Sequence, residues 1–226
     1  MKIIDLSVPL KSGIASDPEQ SKPQIEYSDH NFGAKQMESV FTGLWAKNLK
    51  NEEGWASENI KLTSHSGTHM DAPYHFNSVQ DDGHVITSSE IKEELGRINH
   101  DLKPGDIVVI NTSAGERYGK DNYLESGVGM GREATLYLTE RGVKVVGTDA
   151  WSWDVPFNYM AKNFSETNDP SIIWEGHYAG TVTPYYQMEN MGNLDLLPDD
   201  GFKIICQPIN IYKASAGWVR PIAILE

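Results

Sequence analysis

The sequence holds a single cysteine, Cys206, so no intramolecular disulfide can form and no zinc site can be built from several thiolates. Cys206 lies in the apolar run FKIICQPINI, where a free thiol packs as a small hydrophobe. Basic residues are also scarce. Nineteen Lys and Arg stand against 32 Asp and Glu, a formal net charge of -13, which repels phosphate backbones and anionic lipid surfaces and argues against nucleic acid as a partner. No apolar run approaches the ~18 residues of a membrane span. The opening MKIIDLSVPLK turns polar too soon for the apolar core of a secretory signal, so a cytoplasmic chain with no membrane partner is expected. Low-complexity tracts and blocks of like charge are missing too, which leaves no sign of a disordered tail.

What remains is a chain of 226 residues, 39% hydrophobic and 10% aromatic, long enough to bury a full core as one domain spanning 1–226. KIIDLSV, NIKLTS, DIVVINT, VKVVGTD, FKIICQPINI and VRPIAIL carry the β-branched, apolar character of strands. Ile91, Leu95 and Ile98 fall on one face at helical spacing after a Ser88 or Ser89 cap, and a second helix is expected from Arg132 to a terminating Gly142. The fold class is therefore mixed α/β, rich in strands with a few helices. The polar, Pro-containing stretches 11–35 and 154–171 read as surface loops or arms.

Against this background HSGTHMDAPYHF, residues 65–76, is unusual. A divalent metal needs imidazole nitrogens and carboxylate oxygens that converge, and His65, His69 and Asp71 offer three such ligands within seven residues. On a straight strand they would share a face yet spread over ~20 Å, so the chain must bend. Gly67 supplies the freedom for that bend and Pro73 stiffens the exit. Two His and one carboxylate also form the facial triad of non-haem iron oxygenases, and a metal-stabilised binding protein without turnover is a third reading.

HSGTHMDAPYHF resembles the HxGTHxDxPxHF signature of the metal-dependent cyclase-like hydrolases, the family that includes bacterial kynurenine formamidase and isatin hydrolase. The similarity extends to DLSVPL, LKPGDIVVINT, VVGTDAWSWD, EGHYAG, YYQMENMGNLDLLP and SAGWVRPIAI, and so covers most of the chain. It implies a swivelling β/β/α fold, a homodimer or homotetramer, one or two bound Zn or Mn ions, and a small-molecule substrate. The implied reaction is hydrolysis of a carbon–nitrogen bond in a formyl-amide or cyclic amide, with a lactone or other cyclic ester as the variant.

Carried over residue by residue, the resemblance makes His65, His69 and Asp71 ligands of the first metal. Asp71 then bridges to a second metal completed by His177 of EGHYAG and Glu189 of YYQMEN, and His75 is the catalytic proton donor and acceptor. Glu175 is the competing acid, because on a strand it would face the same way as His177. Either glutamate could instead orient an imidazole from outside the ligand shell. His30, His84 and His100 sit in polar surroundings and read as solvated. GVGMG, 127–131, reads as a structural turn, since no expected strand runs into it as a dinucleotide site requires. Asp149 is either an outer acceptor or a turn residue. Trp45, Trp55, Trp151 and Trp153 read singly as core or interface aromatics.

The chain departs from the family in two places. Kynurenine formamidases usually carry a Trp in the first loop that meets the aromatic ring of the substrate, whereas this chain reads GIASDPEQ there. It also passes from His75 to the first expected helix without a strand-containing segment found in the family.

Overall fold

In the computed structural model, which describes residues 1–71, 85–170, 173–211 and 214–225, the apolar segments named above become strands. The central sheet has the order β11 (Ala216–Trp218), β4 (His69–Asp71), β9 (Tyr186–Glu189), β8 (Val145–Thr148), β6 (Ile107–Ile110). β4 runs antiparallel to both β11 and β9, while β9, β8 and β6 are mutually parallel. A second, antiparallel sheet is ordered β1 (Lys2–Asp5), β12 (Ile222–Leu225), β10 (Phe202–Ile205). β2 (Gln24–Ser28) pairs with β3 (Ser57–Lys61), and the short β5 (Val85–Ile86) with β7 (Gly129–Met130).

Side-chain alternation along the strands assigns the layers. Met70, Val109, Val145 and Met188 point from the central sheet into an apolar cluster with Ile4, Leu6, Ile204 and Ala223 of the second sheet and its flanks. Val108, Ile110 and Val146 point the other way, against Ile91 and Leu95 of α2 (Ser88–Arg97) and Ala134 and Leu138 of α3 (Arg132–Thr139). The result is a β/β/α stack in which the central sheet is covered on both faces. Cys206 is half-buried at the edge of the inter-sheet core.

Several local expectations need correction. α2 is capped by Thr87, not by Ser88 or Ser89: its hydroxyl accepts from Glu90 N while the Glu90 carboxylate accepts from Thr87 N at 2.8 Å, a reciprocal cap. The stretch 11–35 holds β2 and the start of α1 (His30–Val40), which Asp29 caps by accepting from Phe32 N. The stretch 154–171 holds α4 (Phe157–Thr167), which ends on Asn168 at φ 53°. EGHYAG is not a strand but a short helix, α5 (Glu175–Ala179). His100 is held between Asp106 and Asp200, each 2.9 Å away, and these carboxylates raise its pKa. No helix among the described residues is long and apolar enough to cross a membrane.

Candidate metal centre

The cross-strand register assembles the site. His69 on β4 lies opposite Glu189 on β9, and Asp71 lies opposite Gln187, so four polar side chains share the helix-facing side of the central sheet. His65 joins them from the preceding turn, where Gly67 takes φ 61°. The signature's Thr68 fixes that turn: its hydroxyl accepts from Val8 N at 2.9 Å and donates to Asn190 O at 2.7 Å. His177 arrives from α5. Gly176 before it is required, because a Cβ there would lie 2.4 Å from Met130 O.

In the first half of the cluster His65 Nδ1 lies 2.9 Å and His69 Nε2 3.5 Å from Asp71 Oδ1. These spacings suit three ligands of one ion, since tetrahedral ligands at ~2.1 Å stand roughly 3.4 Å apart. His69 Nδ1 donates to Gly67 O at 2.8 Å, which turns the Nε2 lone pair inward. That Nε2 is buried and has no hydrogen-bond partner among the described residues, as expected of an atom that awaits a cation. Burial lowers the pKa of His69, and the neutral imidazole so favoured is the form that binds metal. The His65 side chain is 27% exposed and Asp71 fully buried, so this half reaches solvent on the His65 side.

The second half joins Asp71 Oδ2, His177 Nε2 and Glu189 Oε1, with His177 Nε2 3.9 Å from Asp71 and 3.7 Å from Glu189. Here the neighbours are hydrogen-bonded to one another. His177 Nδ1 donates to Asp154 Oδ2, and the same carboxylate accepts from Gly176 N at 2.7 Å and His177 N at 3.0 Å. Trp174, at φ 63°, stacks its ring on His177 at 4.8 Å. Glu189 Oε1 accepts from Trp153 N at 2.7 Å. Burial, and next the charge of Asp71, push the Glu189 carboxyl up to about 8, because two buried carboxylates resist ionising together without a cation. Burial pulls His177 down, but the Asp154 contact and the charges of Asp154, Glu189 and Asp71 outweigh it, and its pKa is raised.

Five of the six residues expected at the site lie in the described part of the chain, and the fold brings all five together. His75, expected as the proton donor and acceptor, lies outside the described residues, as do His84 and the segment that follows the signature. Glu175 points elsewhere: its carboxylate accepts from Arg132 N at 2.8 Å, at the start of α3. Asp149 accepts from Thr112 N, Thr112 Oγ1 and Gly115 N and so ties loops together away from the cluster. Trp153 is core, Trp151 is half-buried, and Trp45 and Trp55 are exposed. Sequence reasoning missed Asp154, Trp174 and Gln187. None of the three carries a pattern that marks it in the sequence, and Gln187 lies in YYQMEN, which was not among the expected strands.

A β/β/α stack with an imidazole–carboxylate cluster on its central sheet defines the class, a metal-dependent hydrolase fold. The Cyclase family model, described as "Putative cyclase", matches residues 4–82 and 77–155, and the chain belongs to that family. It is 27% identical over 240 residues to the kynurenine formamidase of Bacillus mycoides (strain KBAB4), an alignment covering 97% of this chain and 95% of that one. Isatin hydrolase A from Ralstonia solanacearum superposes with a TM-score of 0.73 at 19% identity, covering 100% of this chain and 92% of that structure. Isatin hydrolase A from Labrenzia aggregata gives 0.71 at 19% identity, with 99% and 93% covered.

Proposed function

We propose that this chain is a metal-dependent amidohydrolase that cleaves a carbon–nitrogen bond in a small formyl-amide or cyclic amide, with water as the other reactant. The observation that carries this reading is the convergence of His65, His69 and Asp71 on one buried point, backed by His177 and Glu189 from a distant part of the chain. Similarity to the kynurenine formamidase supports the amide as substrate class.

His65 Nδ1, His69 Nε2 and Asp71 Oδ1 would hold the ion, and imidazole with carboxylate suits Zn or Mn. A divalent cation held there would supply Lewis-acid polarisation of a carbonyl and lower the pKa of water far toward neutrality. The chain's own groups do the rest. Gly67 O and Asp154 fix the two imidazole tautomers, so that His69 Nε2 and His177 Nε2 both face the cluster. His75 passes a proton to the departing nitrogen, its role in the signature. The water oxygen forms the new C–O bond, the proton it gives up reaches the nitrogen as the C–N bond breaks, and the products are a carboxylate and an amine, joined in one molecule when the amide is cyclic.

The substrate need not be N-formylkynurenine. The first loop, which lacks the ring-contacting Trp, instead buries Ser16 and Asp17, with Ser16 Oγ accepting from Gly119 N at 2.5 Å. The exposed apolar side chains Tyr27, Phe41, Trp45 and Ile60 support the homodimer or homotetramer implied by the family resemblance, a point that sedimentation checks.

The test is to strip the protein with chelator, reload it with Mn or Zn, and assay N-formyl amides, isatin-like rings and lactones. Metal-dependent hydrolysis of an amide is expected. His75→Ala should lower turnover by ~10²–10⁴ while leaving metal content intact. Metal binding without turnover of any of these compounds would favour a binding protein, and oxygen consumption with Fe(II) would favour the oxygenase.

A further inference from the structure

The second half of the cluster contains a group that no metal-ligand pattern would include. Gln187 Nε2 lies 2.7 Å from His177 Nε2, 2.9 Å from Glu189 Oε1 and 3.3 Å from Asp71 Oδ2. Those three atoms are the ones that would chelate a second ion. The amide nitrogen therefore stands between them at hydrogen-bond distance, in the space such an ion needs in order to sit at ~2.0–2.2 Å from each.

We propose that Gln187 keeps this centre mononuclear, its side-chain amide standing in for a second metal ion. The inference rests on the reading that His65, His69 and Asp71 hold a divalent ion.

The hydrogen-bond inventory explains why the nitrogen points inward. His177 Nδ1–H donates to Asp154, which leaves Nε2 of the neutral imidazole an acceptor, and Glu189 and Asp71 offer carboxylate oxygens. An NH₂ group meets acceptors on every side, whereas an amide oxygen turned inward would meet their lone pairs. The outer end is anchored as well. Gln187 Oε1 lies 2.9 Å from Tyr185 Oη, and that hydroxyl lies 2.8 Å from Gly176 O. Gln187 and Tyr185 are both 0% exposed, and the register of β9 against β4 holds Gln187 opposite Asp71. A second ion would have to displace a fully buried amide and break its hydrogen bond with Tyr185 Oη.

The two halves of Asp71 thereby divide their work. Oδ1 faces His65 and His69, where His69 Nε2 has no hydrogen-bond partner among the described residues. Oδ2 faces the Gln187 amide, which fixes the rotation of the carboxylate as an outer partner of a metal ligand does. Gln187 is thus a positioning residue.

The test counts ions. Wild-type protein, Gln187→Ala, Gln187→Ser and an Asp71→Ala background control are loaded with excess Mn²⁺, desalted, and measured by elemental analysis and electron paramagnetic resonance. Wild type should hold about one Mn per chain with the spectrum of an isolated ion. The Gln187 variants should approach a doubled content with an exchange-coupled spectrum, because paired ions sit ~3.5–4 Å apart. Two ions per wild-type chain would overturn the inference and leave the metal reading intact. One ion in the wild type and in both folded Gln187 variants would overturn the assignment to Gln187. No ion above the Asp71→Ala background in wild type would overturn the metal reading itself. Should the variants not fold, the wild-type count still decides between one ion and two.

Discussion

The two halves of the cluster share Asp71 and are built from the same kinds of side chain, yet they are in different states. On the His65 and His69 side a buried imidazole nitrogen has no hydrogen-bond partner among the described residues, and the group opens toward solvent. On the His177 and Glu189 side the groups are tied together by Gln187, Asp154 and Trp153 N, and all are buried. The difference teaches that ligand chemistry and spacing do not by themselves make a metal site. What matters is whether the inward lone pairs are already committed to hydrogen donors, since desolvated acceptors must be satisfied by a proton donor or a cation.

The largest expected effect breaks the first half. His69→Ala removes the uncommitted lone pair and should abolish tight metal binding. Activity should fall by at least ~10³-fold, more than the ~10–100-fold typical of outer-sphere changes. Elemental analysis and steady-state kinetics check both. Retention of a full metal equivalent would place the ion elsewhere.

Asp154→Ala breaks the second half and should behave differently. It strips three donors of their shared acceptor in a buried setting, an effect on the order of 3–5 kcal/mol. For a chain of this size each kcal/mol is worth ~2–4 °C in Tm, so a thermal melt should show a loss of roughly ten degrees. The metal bound per folded chain should stay the same. Loss of metal with little change in stability would show that His177 is a ligand.

Asp17 offers a smaller test at the rim of the first half. Burial pushes its carboxyl up to about 6 from 3.8, partly offset by the Gly67 backbone. A carboxyl whose folded pKa is raised binds more protons in the native state, so stability falls as pH rises from 3.8 through about 6 and is level above that. Asp17→Asn should therefore stabilise the protein at neutral pH, by about 1 kcal/mol after allowance for solvent screening. The gain should vanish near pH 3.8. Melts across this range check the sign, and a variant less stable at neutral pH would mean that the ionised carboxylate is well satisfied.

How much of this the sequence disclosed follows the distance between partners. The first half was legible because HxxxHxD is local and Gly67 marks the bend between its members. The second half needed the fold: Gln187 and Asp71 are 116 residues apart, and their meeting depends on the β4–β9 register. A glutamine two residues before a glutamate signals nothing until that register places its amide among three acceptors. Asp154, within SWDVP, reads as a turn residue until α5 delivers three N–H groups to it. Glu189 was the favoured acid and Glu175 its competitor; only the strand setting considered for Glu175 was off, because α5 spans five residues, too few for a helical period to show. α4 was hidden for another reason. Phe157, Met160 and Phe164 have helical spacing, but only Met160 is buried, so the polar residues around them looked like a loop. The layered core was legible where β-branched runs such as DIVVINT and VKVVGTD fill both faces of a covered sheet, but β4 and β9, which give it Met70 and Met188, were not among the expected strands.

The most direct measurement is anomalous diffraction from crystals grown with Mn²⁺. One peak per chain is expected, bound by His65, His69 and Asp71, with the Gln187 amide still between His177 and Glu189. A second peak among Asp71, His177 and Glu189, or a peak there alone, would contradict it.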